Sequence, residues 1–163
     1  GREYVRKAQE LGMLVDVSHI SDAAFWDIID ISKAPVIASH SNSRTVCNHS
    51  RNLTDEMFLA ICKSGGVAGI NLYTEFLGEN ASIETVCDHI CHFLSLDPAG
   101  KHIALGGDLD GCETLPDGFT GVQDYAKLEC ALLQRGISRE IVENIFWNNA
   151  MGVMKRAISV HKK

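Results

Sequence analysis

The chain has 163 residues and carries 15 Lys and Arg against 21 Asp and Glu, so its formal net charge is −6 at pH 7. Apolar residues make up 45% of the chain and charged residues 22%, which excludes a disordered tail, a collagen-like repeat or a coiled coil. The length predicts one domain or part of one. The cations form no dense basic run, and no apolar stretch approaches the roughly 20 residues of a membrane span, so neither a nucleic-acid partner nor a bilayer span is expected.

Helical and strand patterns alternate along the chain. Residues 2–11 predict a helix that ends at Gly12, and residues 13–17 form a short apolar run that predicts a buried strand. The remaining predicted helices are 22–32, 55–64, 83–96, 123–135 and 139–157, and the remaining predicted strands are 35–38, 67–73 and 102–105. Apolar strands that are each followed by a helix favour a parallel sheet covered by helices. The fold class is therefore α/β, either a doubly wound sheet or half of a (β/α)8 barrel, because a full barrel takes roughly 250 residues.

Six cysteines stand at positions whose spacing shows no disulfide framework. Cys87, Cys91 and His92 are close enough along one helix to share a metal, but reduced thiols are the favoured interpretation. The first six residues contain no apolar core of a signal peptide. Together these features predict a cytoplasmic protein.

Three polar residues directly follow predicted strands. His19 follows the first strand, His40 the second, and Asp108 lies just after the fourth. In a barrel, side chains at this end of the strands converge on the active site, and neutral imidazole is the commonest metal ligand. The pattern predicts a metal site with a carboxylate that binds the ion or takes a proton. The alternative is that each residue is an ordinary hydrogen-bonded loop residue. Asp16, inside the first strand, is either a partner of a ligand or a structural acid.

The other histidines lack that placement. His89 and His92 are interpreted as residues of a helix surface, and His161 as part of a frayed C-terminal tail.

Four runs of residues resemble the membrane (renal) dipeptidase family, zinc metallopeptidases of the amidohydrolase superfamily. They are residues 12–19 (GMLVDVSH), 34–42 (APVIASHSN), 51–55 (RNLTD) and 106–111 (GGDLDG). The resemblance covers nearly the whole chain. It implies a TIM-type (β/α)8 barrel, of which the four strands are the fifth to the eighth, plus C-terminal helices.

The resemblance also implies roles for individual residues. His19 and His40 match the histidines that hold one zinc of a two-zinc centre, and Asp108 matches the proposed proton shuttle. Arg51 matches an arginine that grips the terminal carboxylate of a dipeptide, for which a planar guanidinium fork is suited. Asn52 and Tyr73 are expected among the substrate-binding residues, and Asn71 beside them in the pocket.

The chain also departs from the family pattern. It contains no His-x-Asp pair, and no bridging glutamate can be located. Residues 1–163 are therefore expected to be a single partial domain, the C-terminal half of the barrel. Such a half is expected to hold at most one zinc weakly, to show little activity alone, and to form a homo-oligomer or to associate with the N-terminal half.

Two alternatives stay open. One is a catalytically incomplete half-barrel that acts only as a structural or association module. The other is a different amidohydrolase, such as a deacetylase or a lactonase. Arg51 favours a dipeptide substrate over the second alternative.

Overall fold

A computed structural model describes residues 1–159, and His161 lies outside the described residues. The helices in that range are α1 (Arg2–Glu10), α2 (Asp22–Ile31), α3 (Asp55–Ser64), α4 (Thr74–Leu77), α5 (Ile83–Leu96), α6 (Tyr125–Gln134), α7 (Arg139–Glu143) and α8 (Asn149–Ser159). The strands are β1 (Val15–Asp16), β2 (Val36–Ile37), β3 (Ala68–Asn71) and β4 (Ile103–Gly107). The alternation of strands and helices predicted from the sequence is present, and the fold is mixed α/β.

Hydroxyl side chains begin three of these helices. Each accepts a hydrogen bond at 3.3 Å from the backbone N–H three residues ahead, which satisfies a donor that the first helical turn leaves free. These capping residues are Ser21 before α2, Thr54 before α3 and Ser138 before α7. At the other end of α3, Gly65 adopts a left-handed φ of 79°, which a glycine takes without steric cost.

The four strands form two parallel pairs, β1-β2 and β3-β4. Val15 pairs with Val36, and Ala68 pairs with Ile103. A parallel bridge between Ala38 and Ala68 connects the two strand pairs. Because parallel strands end at one edge, the residues that follow β1, β2 and β4 meet there.

The two faces of the strands differ in what covers them. One face packs against helices, where Phe58 and Phe93 are fully buried with parallel rings 4.1 Å apart. The other face borders a hollow of about 240 Å³, lined mainly by apolar side chains of the strands and of α8, among them Ile37, Val67 and Val153. Over the described residues, no helix combines the length and apolarity needed to cross a bilayer.

Element boundaries differ from the sequence prediction in two places. β1, β2 and β3 are shorter than predicted, because only the residues that pair with a neighbour form the ladder, whereas β4 runs to Gly107, past its predicted end at 105. The predicted helix over 139–157 is divided by a π-helical turn, Asn144–Asn148. After this turn the Asn149 amide donates at 2.7 Å to the carbonyls of Gly100 and Ile103. Hydrophobic periodicity does not reveal such a one-residue expansion.

The prediction that His89 lies on a helix surface was wrong. His89 is fully buried, its Nδ1 accepts from the Ser43 N–H at 3.1 Å, and its Nε2 donates to the Leu77 carbonyl at 3.1 Å. Burial lowers the pKa of His89 and outweighs the opposing effects of the hydrogen bond to the Leu77 carbonyl and of the Asp88 carboxylate. The imidazole therefore stays neutral and ties the loop after β2 to the end of α4. The helical spacing around His89 cannot show this, since the contacts come from distant segments.

We expect the free energy of unfolding to fall as the pH drops below about 6.5, the ordinary pKa of histidine. In this range the histidine is protonated in the unfolded chain but stays neutral in the folded chain. The free energy of unfolding therefore decreases by up to about 1.4 kcal/mol per pH unit. Urea unfolding of the wild type and His89→Gln between pH 7.5 and 5.5 measures this slope. An unchanged slope in the variant would contradict the assignment.

Candidate metal centre

Two histidine side chains meet at the carboxyl ends of the strands. The Nε2 atoms of His19 and His40 lie 2.7 Å apart, and the Asp108 Oδ2 lies 4.0 Å from the His40 Nε2. The structure thus brings together the three residues that the sequence placed at one edge. Two imidazole nitrogens and a carboxylate belong to the ligand types that zinc takes in proteins, so the donor set fits a divalent cation.

The backbone is in a rarely used conformation at two of these residues. His19 has a φ of 70° and Asp108 a φ of 61°, both in the left-handed region. For a residue with a Cβ this conformation costs about 1–2 kcal/mol. These two residues are the ones whose side chains approach the His40 Nε2, His19 at 2.7 Å and Asp108 at 4.0 Å.

A chain of hydrogen bonds orients the His40 ring through its Nδ1, the ring nitrogen that does not face His19. The Asp16 Oδ2 accepts the Ser39 hydroxyl at 2.5 Å, and the Asp16 Oδ1 accepts the backbone N–H groups of Ser39 at 2.9 Å and Ser18 at 3.0 Å. The Ser39 Oγ lies 2.6 Å from the His40 Nδ1. Because the Ser39 hydrogen points at Asp16, the Nδ1–H of His40 donates to Ser39. The lone pair of His40 is then on Nε2, which faces His19.

The charge state of His40 supports the same conclusion. Burial lowers the pKa of His40, and the neighbouring His19 and Arg51 add to this, while Asp108 and Asp16 oppose it. A neutral imidazole is the form that binds a metal.

Asp16 thus reaches His40 only through Ser39, so it matches the expected partner of a ligand. The sequence analysis did not identify Ser39 as the residue that orients His40. The only signal in the sequence is that Ser39 directly precedes His40.

We expect Ser39→Ala to weaken zinc binding by about 10–100-fold, the usual cost of removing a group that orients a ligand. The alanine leaves the His40 Nδ1–H without its acceptor and frees the ring to change tautomer. Zinc titration of the variant measures the affinity, and histidine ¹⁵N shifts of the metal-free chain report the tautomer. Ser50→Ala, at an exposed loop serine, serves as the control. Wild-type affinity and tautomer in Ser39→Ala would contradict the assignment.

Asn71 connects the carboxylate to the end of β3. Its Nδ2 donates to the Asp108 Oδ2 at 3.3 Å, and its Oδ1 accepts the Tyr73 N–H at 2.6 Å. Fully buried Asn42 holds Asn71 in turn, accepting its N–H at 2.8 Å and donating to its carbonyl at 3.1 Å. The Tyr73 ring makes an edge contact with Phe76, with ring centroids 4.9 Å apart. Asn42 was missed in the sequence because its contacts come from a strand 29 residues away.

Arg51 reaches the same region from the loop after β2. Its guanidinium carbon lies 5.4 Å from the centre of the Phe76 ring. Its Nη2 is buried and has no hydrogen-bond partner within the described part of the chain. Burial lowers the pKa of Arg51, while Asp108 and Asp16 oppose that shift. An unpaired buried guanidinium nitrogen is costly in itself and is suited to bind an anionic group.

Asn52 lies behind Arg51 with only 1% of its surface exposed. Its Nδ2 donates to the carbonyls of Cys47 at 2.9 Å and Phe76 at 2.8 Å, which joins the loop after β2 to α4. Its backbone carbonyl accepts from the Arg44 Nε at 2.8 Å, and Arg44 forms a two-pronged pair with Asp22 at 2.7 and 2.9 Å. These contacts hold the Arg51 loop in place.

Comparison with known proteins gives a consistent result. A profile of the family described as membrane dipeptidase, peptidase family M19, matches residues 1–163. The chain is 37% identical to an uncharacterized dipeptidase of Schizosaccharomyces pombe over 158 residues, covering 95% of this chain and 39% of that protein. It is 36% identical to the dipeptidase tcpJ of Claviceps purpurea, covering 98% of this chain and 38% of that protein. The chain therefore spans less than half the length of these two relatives.

A solved structure shares the same fold. The metallopeptidase of Rhodobacter sphaeroides, bound to a phosphinate mimic of the dipeptide L-Ala-D-Ala, aligns with a TM-score of 0.91 at 31% identity. The alignment covers 96% of this chain and 46% of that one.

Proposed function

The chain belongs to the membrane dipeptidase family, peptidase family M19, and from this membership we propose that it supplies the C-terminal half of the active site of a zinc-dependent dipeptidase. The observation that carries the proposal is the meeting of the His19 and His40 Nε2 atoms, 2.7 Å apart, beside Asp108. The unpartnered Nη2 of Arg51 in the same region supports a substrate that ends in a carboxylate.

We further propose that the chain is one partial domain, half of a TIM-type barrel. Four parallel strands in sequential order, with helices on one face, support this architecture. The hollow on the other face leaves apolar side chains such as Ile37 to be covered by a partner. That partner is an N-terminal half or a second copy of the chain.

Each side chain has a proposed task in the reaction. His19 and His40 hold zinc, while Asp16 and Ser39 keep the His40 ring in the required tautomer. When bound, zinc polarises a carbonyl group and lowers the pKa of water. Asp108 accepts the proton of the attacking water and returns it to the leaving amine.

The remaining pocket residues bind and position the substrate. Arg51 forms paired hydrogen bonds to the terminal carboxylate of the dipeptide, which limits the substrate to short peptides. Asn71 orients Asp108, and Tyr73 borders the pocket. Asn52 supports the loop that carries Arg51.

The cysteines favour a cytoplasmic location. All six are free thiols in the structure, which suits a reducing compartment.

An association module without catalysis is the competing function, since only part of a two-metal ligand set is present. Dipeptide hydrolysis with added zinc, beside a chelated sample and His40→Ala, separates the two. We expect zinc-dependent hydrolysis by the gene product that contains this chain, and little by residues 1–163 alone. Absence of hydrolysis from both preparations would contradict the proposal, as would hydrolysis that His40→Ala leaves intact.

A further inference from the structure

We propose that Cys62, Asp97 and His102 form a second metal site, which binds a zinc-type divalent cation and has a structural role. The Cys62 Sγ, a carboxylate oxygen of Asp97 and a ring nitrogen of His102 all lie within 4.8 Å of one another, and all three residues are half-buried. Thiolate, carboxylate and imidazole are the ligand types that zinc accepts together.

The site lies at the opposite end of the strands from the candidate metal centre. Cys62 is in the last turn of α3, Asp97 directly follows α5, and His102 directly precedes β4. Asp108 is six residues beyond His102 along β4, or roughly 20 Å of extended chain. The two clusters therefore bind separate ions.

Two of the three ligands are held in place by the backbone. The Asp97 Oδ2 accepts the N–H groups of Lys101 at 2.7 Å and His102 at 2.9 Å. The His102 Nδ1 lies 2.8 Å from the Gly66 carbonyl and donates to it. That hydrogen bond leaves the lone pair of the imidazole on Nε2, in the arrangement usual for a histidine that binds a metal.

The charge balance also favours a cation. No Lys or Arg among residues 1–159 forms an ion pair with the Asp97 carboxylate, although eight ion pairs of Lys or Arg with other carboxylates are present there. Tetrahedral bonds of 2.0–2.3 Å place ligand atoms about 3.3–3.8 Å apart, so closure needs a movement of about 1 Å from side chains. An ion there joins the ends of α3 and α5 to the start of β4 and leaves one position for water.

Alternative uses of this cysteine fit less well. The cluster contains no second thiol, because its other two members are Asp97 and His102, so Cys62 forms no disulfide within it.

Cobalt substitution tests the site in the reduced, full chain. A cysteine ligand gives Co²⁺ an intense near-ultraviolet charge-transfer band, which histidine and carboxylate ligands at the other centre do not give. We expect this band in the wild type and in Cys130→Ser, an exposed cysteine. We expect it to vanish in Cys62→Ser and the cobalt affinity to fall at least tenfold in Asp97→Asn, which retains the acceptor of the two N–H groups.

Folding and catalysis do not obscure this test. Circular dichroism of Cys62→Ser establishes that the variant is folded, and zinc should raise the melting temperature of His40→Ala but not of His40→Ala with Cys62→Ser. A wild type without the band at saturating cobalt, or a band that persists in Cys62→Ser, overturns the proposal. Neither outcome bears on the dipeptidase proposal, because His19 and His40 are not involved.

Discussion

Replacement of Asp108 by Asn is expected to lower kcat for dipeptide hydrolysis by about 10²–10⁴-fold, the usual contribution of a positioned proton acceptor. The amide matches the carboxylate in shape and can still accept from the Asn71 side chain, which donates to it at 3.3 Å in the wild type. It has no basic oxygen to take a proton from water. The measurement is kcat in the gene product that contains this chain, with the zinc content determined for each preparation.

The control for this variant is Asp110→Asn. Asp110 lies two residues further along the same loop and is exposed, so it should leave kcat within twofold of the wild type. If Asp108→Asn retains more than a tenth of the wild-type kcat with full zinc content, Asp108 is not the proton acceptor. If zinc content falls with kcat, Asp108 acts as a ligand instead.

The largest loss of stability is expected from Phe93→Ala. Phe93 and Phe58 are fully buried, with stacked rings whose centres are 4.1 Å apart and whose planes differ by 8°. Truncation removes the transfer free energy of the ring and leaves a cavity between α3 and α5, at a cost of about 3–5 kcal/mol. That is a large share of the roughly 5–15 kcal/mol by which a domain is usually stable.

Guanidinium unfolding of the variant measures this loss. Phe93→Leu, which fills part of the same volume, should lose less than Phe93→Ala. Tyr4→Ala, at a side chain with 75% of its surface exposed, should change the free energy of unfolding by no more than about 0.5 kcal/mol. Equal effects at Tyr4 and Phe93 would contradict the placement of the core.

The order of elements and the edge that carries the candidate centre could be predicted from the sequence. Apolar runs identify β1 to β4 because parallel strands are buried on both faces, and the edge follows from their common direction. The convergence of His19, His40 and Asp108 follows from that edge alone.

The supporting residues could not be predicted, because their roles depend on contacts between distant segments. Ser39 is one of many serines until the Asp16 carboxylate is seen at its hydroxyl, 2.5 Å away. His89 was placed on a helix surface, since local spacing does not show which loops cover a helix. Cys62, Asp97 and His102 come from three elements and have no common motif.

The left-handed backbone at His19 and Asp108 has a consequence for the evolution of the family. At both positions glycine would relieve the conformational cost and stabilise the fold. A lineage released from selection for hydrolysis gains stability by losing these side chains, so glycine or asparagine should accumulate there before the core changes. The residues at these two positions therefore offer a simple criterion for sorting relatives into those still under selection for metal chemistry and those that retain only the scaffold.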